Sequence, residues 1–270
     1  MSSIALTYGA LLIGTLFAAI FSGMLAIQYI FYGRGYGSDP LSLKAFVFAI
    51  WLLDGLHNAS VWSSIWTWFI DDFGAPERLD TIPIGIPLSI IVTGFLTFSV
   101  HCFYVYRMYH LSRRGLALAL PILILAALRL VSALTTAYLM MKHPSLSNFK
   151  FHHRWIFSAG LGLSSAVDIL ITVIMMAVLR HTRSKALSLD QAISTLIVYT
   201  MENGAITTAA TVVSMICWLT MDNLVFLALH FIIAKRTSPL TFTKLSLNAV
   251  TAVLLISLRK LRPCHAQLPK

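Results

Sequence analysis

The chain has 270 residues, of which 58% are hydrophobic and only 11% are charged, and its formal net charge is +10. Soluble globular domains carry roughly 25% charged residues, so this composition excludes an ordinary water-soluble protein. The basic residues lie at the ends of apolar runs, where they orient membrane spans, and this placement argues against nucleic acid as a partner. The three cysteines, Cys102, Cys217 and Cys264, have no metal-ligand spacing, so we expect no metal and no cofactor.

Long apolar runs follow one another along the chain. A transmembrane helix needs about 20 mostly apolar residues. Backbone polar groups in hydrocarbon must be paired internally, so continuous apolar runs without two-residue alternation predict helices. The first run lacks a basic segment before it and a small-residue cleavage site, so we expect an anchor that is retained. We predict an all-α bundle of seven spans within residues 1–235, at 9–32, 44–69, 82–109, 116–141, 154–180, 190–218 and a shorter 219–234.

Lysine and arginine are distributed unequally between the two ends of these spans. With the N-terminus outside, fifteen of them fall on the cytosolic side, and one, Arg129, lies within a span. Cytosolic loops are enriched in these residues. We therefore predict an outside N-terminus and a cytosolic C-terminus, in the plasma membrane or a secretory-pathway membrane. The outer side receives only four basic residues, Arg78, Lys142, Lys150 and Arg154.

Residues 236–270 form a basic tail after the last span. The tail contains one further apolar run, 245–258, which is too short for a normal span. Crossing the membrane there would export Arg259, Lys260 and Arg262, against the charge bias. We therefore predict a cytosolic tail in which 245–258 lies as a helix on the membrane surface.

The candidate functional residues are ionisable groups within the spans. A charge at this depth is costly and usually faces the bundle interior or water. Arg129, Asp168 and Glu202 fall near the membrane midplane, and Asp54 lies nearer the cytosolic half. They predict either a polar pocket for a ligand, an ion or a proton, or a structural ion pair between helices. In the structural case we expect Arg129 to pair with Asp168 or Glu202.

Histidines extend this set of candidates. His57 follows Asp54 by three residues, so both share one helix face, where a carboxylate can hold the imidazole proton. His101 and His230 also lie within spans, although a lone buried histidine is more often a hydrogen-bonded structural residue. The candidates for a ligand or ion pocket are therefore Asp54, His57, His101, Arg129, Asp168 and Glu202.

Small residues on the fifth span predict close helix packing. Ser158 with Gly162, and Gly160 with Ser164, have the small-xxx-small spacing that lets membrane helices approach one another. This spacing indicates packing and not chemistry.

Common catalytic motifs are missing from the sequence. It contains no GxSxG, HExxH or P-loop string, so the usual hydrolase, zinc-protease and nucleotidase routes lack their residues. A retinal protein needs a lysine in the middle of its last helix, whereas Lys235 ends that helix. The DRY-like and NPxxY motifs of class A receptors have no convincing counterpart, since Tyr106-Arg107-Met108 and Asp222-Asn223-Leu224 stand at the corresponding places.

Several stretches between residues 9 and 235 resemble a known family in their order and spacing. The family comprises fungal, chiefly basidiomycete, seven-helix membrane proteins with a C-terminal domain of unknown function 6534. It has no established activity, so the resemblance implies topology and host group. The chain departs from the family pattern at 236–243, which separates the last span from Lys244. The matching stretches are Trp51-Leu52-Leu53-Asp54, Phe73-Gly74-Ala75-Pro76, Phe103-Tyr104-Val105-Tyr106-Arg107, Leu111-Ser112, Asp168, Tyr199, Asn203-Gly204-Ala205-Ile206-Thr207 and Asn223-Leu224-Val225-Phe226.

These observations favour a receptor-like integral membrane protein that is not an enzyme and that binds a small ligand or lipid between its helices. We expect its basic inner loops to contact a cytosolic protein. The alternative is a transporter or proton-coupled carrier that uses the midplane acids. A membrane-embedded enzyme acting on lipid is a third, less favoured interpretation. A carrier requires a protonatable midplane acid for flux, whereas a receptor requires a cytosolic partner.

Overall fold

The protein is built of α-helices, as the sequence predicts. A computed structural model describes residues 2–35, 39–75, 78, 80–111, 115–183, 190–220 and 224–235. A π-helical turn, Thr67–Asp71, extends the second helix. The helices are α1 (Ser2–Gly35), α2 (Leu41–Trp66), α3 (Gly85–Leu111), α4 (Gly115–Lys142), α5 (Leu146–Arg183), α6 (Asp190–Thr220) and α7 (Val225–Lys235).

Five segments within these helices are long and apolar enough to cross a membrane. The apolar helical stretches towards the C-terminus, Gly204–Thr220 and Val225–Lys235, are shorter. The prediction of a membrane-embedded multi-pass helical protein is therefore confirmed, while the number of spans and their orientation stay predictions. The predicted tail, its surface helix 245–258 and the segment 236–243 lie outside the described residues. The five long segments are Gly9–Gly35, Leu41–Asp71, Gly85–Tyr106, Leu116–Lys142 and Leu146–Val178.

Helix α1 shows how the sequence suits a lipid environment. Its buried side chains Leu11, Ala18, Leu25 and Tyr32 recur every seven residues and therefore form one stripe along the helix. The other faces are also apolar, since five large hydrophobic side chains between residues 12 and 20 are 44–59% exposed. Such exposure is expected where hydrocarbon, rather than water, surrounds the helix. Those five are Leu12, Ile13, Leu16, Phe17 and Ile20.

Consecutive helices pack side by side from α1 to α6, and α3 also contacts α5. Helix α7 packs against α1, where a Cβ added to Gly14 would lie 2.8 Å from the Cα of Ala228. Gly160 on α5 faces Ser132 on α4, with 2.9 Å between an added Cβ and the Ser132 hydroxyl. The packing predicted from Gly160 is thus confirmed, whereas the space beside Gly162 is open, so this glycine makes no close helix contact.

The buried core is divided into two apolar clusters, one towards each end of the bundle. We name them after Trp218 and Met108. Along α1, the Trp218 cluster contains Leu11 and Ala18 and the Met108 cluster contains Leu25 and Tyr32. The same division recurs on α2 to α5. Polar residues occupy the positions between the clusters, and we call them the polar layer: Ser22, Asp54, His57, Thr93, Arg129, Ser132 and Ser164.

At the Trp218 end, the connection between α2 and α3 is bound to the connection between α4 and α5. The carboxylate of Asp80 accepts hydrogen bonds from the Ser145 hydroxyl at 2.5 Å and from the Ser147 hydroxyl and backbone N–H at 2.6 and 2.8 Å. An antiparallel bridge joins Thr81 to Ser145. Asp80 therefore satisfies a free N–H in the first turn of α5. The predicted span began at 154, whereas α5 begins at Leu146, and this capping explains the earlier start.

Candidate ligand cavity and buried ion pairs

A buried ion pair ties three helices together in the polar layer. Lys235, at the end of α7, is 1% exposed, and its ammonium nitrogen lies 2.9 Å from Asp54 Oδ1 on α2. The same nitrogen donates hydrogen bonds to the Asp54 backbone oxygen at 2.9 Å and to the Ser22 hydroxyl on α1 at 3.0 Å. The Ser22 hydroxyl in turn donates to Asp54 Oδ2. All three ammonium protons therefore have an acceptor, as a buried cation requires.

This arrangement corrects two sequence-based interpretations. Lys235 is the last described residue of α7, and it is buried against Asp54 and is not one of the exposed basic residues at the inner face. Without it the predicted charge bias is fourteen to four, which still favours the same orientation. The expected hydrogen bond between Asp54 and His57 is also absent from the described residues, because the Asp54 carboxylate is occupied by Lys235 and Ser22.

His57 lies one helical turn from Asp54 and is 2% exposed. Neither of its ring nitrogens has a hydrogen-bond partner within the described part of the chain. The ring meets Phe231 on α7 edge-on, with 6.3 Å between the ring centroids. It also lies close enough to Lys235 and His230 to interact with them electrostatically. An unpaired buried polar atom costs about 1–3 kcal/mol, so two on one ring indicate a position suited to water.

A second ionic contact joins α3 and α5. His101 Nε2 lies 3.7 Å from Asp168 Oδ1, and the two side chains are 3% and 23% exposed. Arg129 on α4 is close enough to interact electrostatically with His101 and Asp168. The predicted pairing of Arg129 with Asp168 or Glu202 stays a prediction. Asp168 has His101 as its ionic contact, and the side chain of Glu202 lies outside the described residues.

A cavity of about 70 Å³ opens in the polar layer between α3, α4, α5, α6 and α7. Three of these helices line it with one face each, over an eight-residue stretch: Ile90 to Thr97 on α3, Arg129 to Thr136 on α4, and Phe157 to Ser164 on α5. Such a stretch rises about 10 Å from its first residue to its last, so the lining extends about 10 Å along the helix axes. Thr211 and His230 add polar groups from α6 and α7. One water needs roughly 10–15 Å³ of such space, so several fit.

The hydroxyl groups on the cavity wall differ in what they offer a ligand. Thr97, Thr136 and Thr211 donate their protons to carbonyls of their own helices, at 2.7–2.8 Å, which leaves oxygen lone pairs free. The Thr93 hydroxyl, and Nε2 of His230, have no partner among the described residues. Buried polar groups in folded proteins are nearly always hydrogen-bonded. These two atoms therefore mark the cavity as a place for an occupant, either water or a ligand.

The described residues of the cavity wall carry a positive charge without a balancing negative one. Arg129 lines the cavity, and no Asp or Glu is among the described residues that line it. Arg129 interacts electrostatically with His230 across the cavity. Within the described ranges, no group of three or more His, Cys, Asp or Glu side chains could hold a metal ion. The wall therefore offers guanidinium donors and hydroxyl oxygens to whatever enters.

The structure brings most of the predicted site residues into one region but divides them into three groups. Arg129 lines the cavity, His101 and Asp168 form the contact beside it, and Asp54 belongs to the ion pair with Lys235. His57 interacts electrostatically with Lys235 of that ion pair and with His230 of the cavity wall. The remaining predicted site residue is Glu202. It belongs to α6, and its side chain lies outside the described part of the structure.

The sequence-based interpretation missed the hydroxyl-bearing residues and Lys235. The spacing of the hydroxyl residues could have revealed them in the sequence. Thr93 and Thr97 lie one helical turn apart, as do Ser132 and Thr136, and both pairs fall in the same part of the membrane as Arg129. Lys235 gave no such signal, since a lysine at a helix end normally lies at the membrane surface.

Comparison with known proteins adds one finding. Residues 164–258 match the model of a family of unknown function, DUF6534. The predicted C-terminal domain is therefore confirmed over this range, which begins at cavity residue Ser164 and includes His230 and Lys235. No curated protein and no solved structure matches the chain.

Proposed function

We propose that this protein is a receptor-like integral membrane protein that binds a small ligand in the cavity between α3 and α7 and that is not an enzyme. The observation that carries this proposal is the pair of unpartnered atoms, Thr93 Oγ1 and His230 Nε2, on the wall of a cavity within the helices. Small-molecule sites are typically concave and mostly apolar, with a few convergent polar groups. The cavity has this composition, since Ile90, Phe157 and Leu161 lie beside those atoms.

A cavity-filling substitution tests whether a ligand occupies this space. Ala133 lines the cavity on α4, and Ala127 on the same helix is exposed on the outside of the bundle. We expect Ala133→Leu to exclude the ligand and Ala127→Leu to retain it, since both add the same atoms to the same helix. The measurement is mass spectrometry of small molecules extracted from the wild-type protein and from both variants after identical purification. Equal recovery from all three proteins would contradict the proposal.

A receptor also needs a partner that responds to the ligand, and we propose a cytosolic protein at the basic inner loops. The test is proximity labelling in cells from a ligase fused after Lys270, compared between the wild type and Ala133→Leu. We expect the labelled set to lose specific proteins when the cavity is filled. An unchanged set of labelled proteins would contradict the receptor proposal. The protein would then bind a ligand without passing a signal to a cytosolic partner.

A transporter or proton-coupled carrier is the second candidate, and the paired ionisable groups favour it. Asp54 pairs with Lys235, and Asp168 with His101, so two acids lie in ionic contacts within the helices. Intramembrane ionisable residues often mark ion or proton pathways. The test is proton uptake into proteoliposomes under an imposed membrane potential. A carrier predicts uptake that is lost in Asp168→Asn, whereas a receptor predicts none in either protein.

The topology belongs to the same proposal. We propose seven spans, an outside N-terminus and a cytosolic C-terminus, in the plasma membrane or a secretory-pathway membrane of a fungal, basidiomycete host. The charge bias of fourteen to four supports this orientation. A reporter fused after Lys270 should be cytosolic, and a tag inserted at Gly74 should be accessible from outside. Glycosylation of a C-terminal tag would reverse the orientation.

A further inference from the structure

The charge on the wall restricts what the cavity can hold. Among the described lining residues, Arg129 is a permanent cation, and no carboxylate lines the same space. Asp168 interacts electrostatically with Arg129 but does not line the cavity, and its carboxylate lies 3.7 Å from His101. A guanidinium stays protonated at any accessible pH, so a ligand in the cavity meets a fixed positive charge. In a low-dielectric interior this charge favours an anion and disfavours a cation.

The position of Arg129 adds a direction to this preference. Helices α3, α4 and α5 run antiparallel in turn, so Arg129 lies at the level of Thr97 and Ser164, whereas Ile90 and Phe157 lie at the opposite end of the cavity. The packing contacts agree, since Gly94 faces Leu130 and Ala133, and Gly160 faces Ser132. The cavity therefore has a charged end and, about 10 Å away, an end where the apolar side chains of Ile90 and Phe157 lie near Thr136 and His230.

We propose that the ligand is a small organic anion, a carboxylate on a short aliphatic chain, whose carboxylate is held by Arg129. This inference rests on the proposed ligand site and names its chemistry. The planar guanidinium offers two parallel N–H donors, which match the two oxygens of a carboxylate. The aliphatic chain extends towards Ile90 and Phe157 and replaces water there. The unpartnered Thr93 hydroxyl lies on the wall between the two ends and can donate to a carboxylate oxygen.

The size of the cavity limits the chain. Its volume of about 70 Å³ holds about five to seven water-sized groups, if each takes roughly 10–15 Å³. Butyrate has a comparable number of non-hydrogen atoms, which makes it a suitable probe. Butyramide has the same shape without the charge, and butylammonium has a chain of similar length with a positive charge, so the three probes separate charge from size.

The experiment compares these three probes on the purified full-length protein. A ligand that binds only the folded state raises Tm by mass action. We expect millimolar butyrate to raise Tm relative to the same concentration of sodium chloride, butyramide to raise it less, and butylammonium not at all. Arg129→Gln should abolish the butyrate response, and Arg129→Lys should retain part of it, because the charge remains while the paired donors are lost. Arg180→Gln, which removes an exposed arginine on α5, should respond as the wild type does.

If Arg129→Gln folds poorly, its Tm cannot be interpreted, and a direct measurement of butyrate binding replaces it. Saturation-transfer NMR with butyrate measures contact in the wild type and in Arg129→Lys, and a weaker signal in Arg129→Lys is expected. An equal or stronger response to butylammonium, or a butyrate response that survives in Arg129→Gln, would overturn the anion proposal.

The outcomes also separate this inference from the proposed function. If butyramide or butylammonium binds best, and Ala133→Leu blocks that binding while Ala127→Leu does not, the cavity is a ligand site and its preference for anions is wrong. If none of the three probes binds, and the extracts of wild type and Ala133→Leu are identical, the ligand site and the anion inference both fail.

Discussion

Two carboxylates, Asp54 and Asp80, join helices in this protein, and their surroundings differ. Asp54 lies in the polar layer, 3% exposed, and holds the Lys235 ammonium with help from Ser22. Asp80 lies in a connection at the Trp218 end, where it is partly exposed and accepts hydrogen bonds from Ser145 and Ser147. Each carboxylate therefore has several donors, but only Asp80 can exchange them for water.

The comparison shows why similar contacts have different energetic weight. In the bundle centre, the loss of one partner strands a charge without water, which is costly. At the loop, the loss of a hydrogen bond is partly replaced by solvent, so the net effect is about 1 kcal/mol. We therefore expect the ion pair in the polar layer to control the stability of the bundle and the Asp80 contacts to fix only where α5 begins.

The largest effect is expected for single substitutions in the buried pair. Lys235→Met leaves the Asp54 carboxylate buried without a cation, so we expect a loss of about 3–5 kcal/mol in the free energy of unfolding. Asp54→Asn/Lys235→Met should recover much of this loss, because it removes both charges. The measurement is denaturant unfolding of the purified protein in detergent. A double variant as unstable as Lys235→Met would show that the pair is not coupled. Ser22→Ala, which removes one acceptor of the ammonium and one donor to the carboxylate but leaves the ion pair, should cost about 1–2 kcal/mol.

The next largest effect concerns Arg129, whose partner is still a prediction. Removing a hydrogen-bonded charge costs about 1.5–3 kcal/mol, and Arg129→Leu should cost this much if an acid pairs with it. Combining Arg129→Leu with Asp168→Asn or with Glu202→Gln identifies the partner, because only neutralisation of the true partner restores stability. The acid that does not restore stability becomes the better functional candidate. If neither double variant recovers, the charges do not form a closed pair, and a hydrated cavity gains support.

A smaller effect is expected at Asp80. Replacing Asp80 by Ala removes the cap of α5, and caps contribute about 1 kcal/mol. Asp80→Asn should cost less, since the amide oxygen still accepts one bond. Circular dichroism during thermal unfolding measures both. If Asp80→Ala lost more stability than Lys235→Met, the partly exposed Asp80 contacts would matter more than the buried Asp54 pair, contrary to this argument.

The same residue predicts a pH dependence. Partial burial raises the pKa of the Asp80 carboxyl, but the hydrogen bonds from Ser145 and Ser147 outweigh burial and hold the pKa below its usual value. The folded state thus binds this proton less tightly than the unfolded chain does, so the stabilisation is complete above about pH 4 and is lost as the pH falls through the folded pKa. Between pH 5 and pH 3, the wild type should lose more stability than Asp80→Asn. Equal losses would show that other acids control the acid response.

The helices themselves could be predicted well because they follow directly from apolar length. The predicted spans 9–32, 44–69, 82–109 and 116–141 fall on α1 to α4 with small shifts at the ends, since continuous apolar runs are recognisable without any tertiary information. The start of α5 was not predictable in this way. It depends on Asp80, a residue distant in sequence that caps the helix from another connection.

The sequence predicted how deep in the membrane the candidate site residues lie, but not which side chains face one another. Arg129 and Asp168 were identified from their distance to the span ends, and both lie at or beside the cavity. Which group faces which depends on the rotation of each helix and on how the helices close into a bundle, and neither is visible in a linear pattern. Lys235 shows the consequence, because its place at the end of α7 suggested the membrane surface, while the packing of α7 against α1 and α2 buries it.

The smallest effect is expected for the ion pair between Arg78 and Asp72, which completes the comparison. Its nitrogen and oxygen lie 3.3 Å apart, a separation close to that of the Asp54 and Lys235 pair, but the Arg78 side chain is 68% exposed. In water, the attraction between the two charges is offset by lost hydration and side-chain entropy, so exposed pairs contribute only about 0–1 kcal/mol. Arg78→Ala should therefore change the free energy of unfolding by no more than about 0.5 kcal/mol, and raising the salt concentration should remove even that difference. Unfolding at low and at high salt measures both. If Arg78→Ala were as damaging as Lys235→Met, burial would not be what separates the two pairs, and the energetic argument for the polar layer would fail.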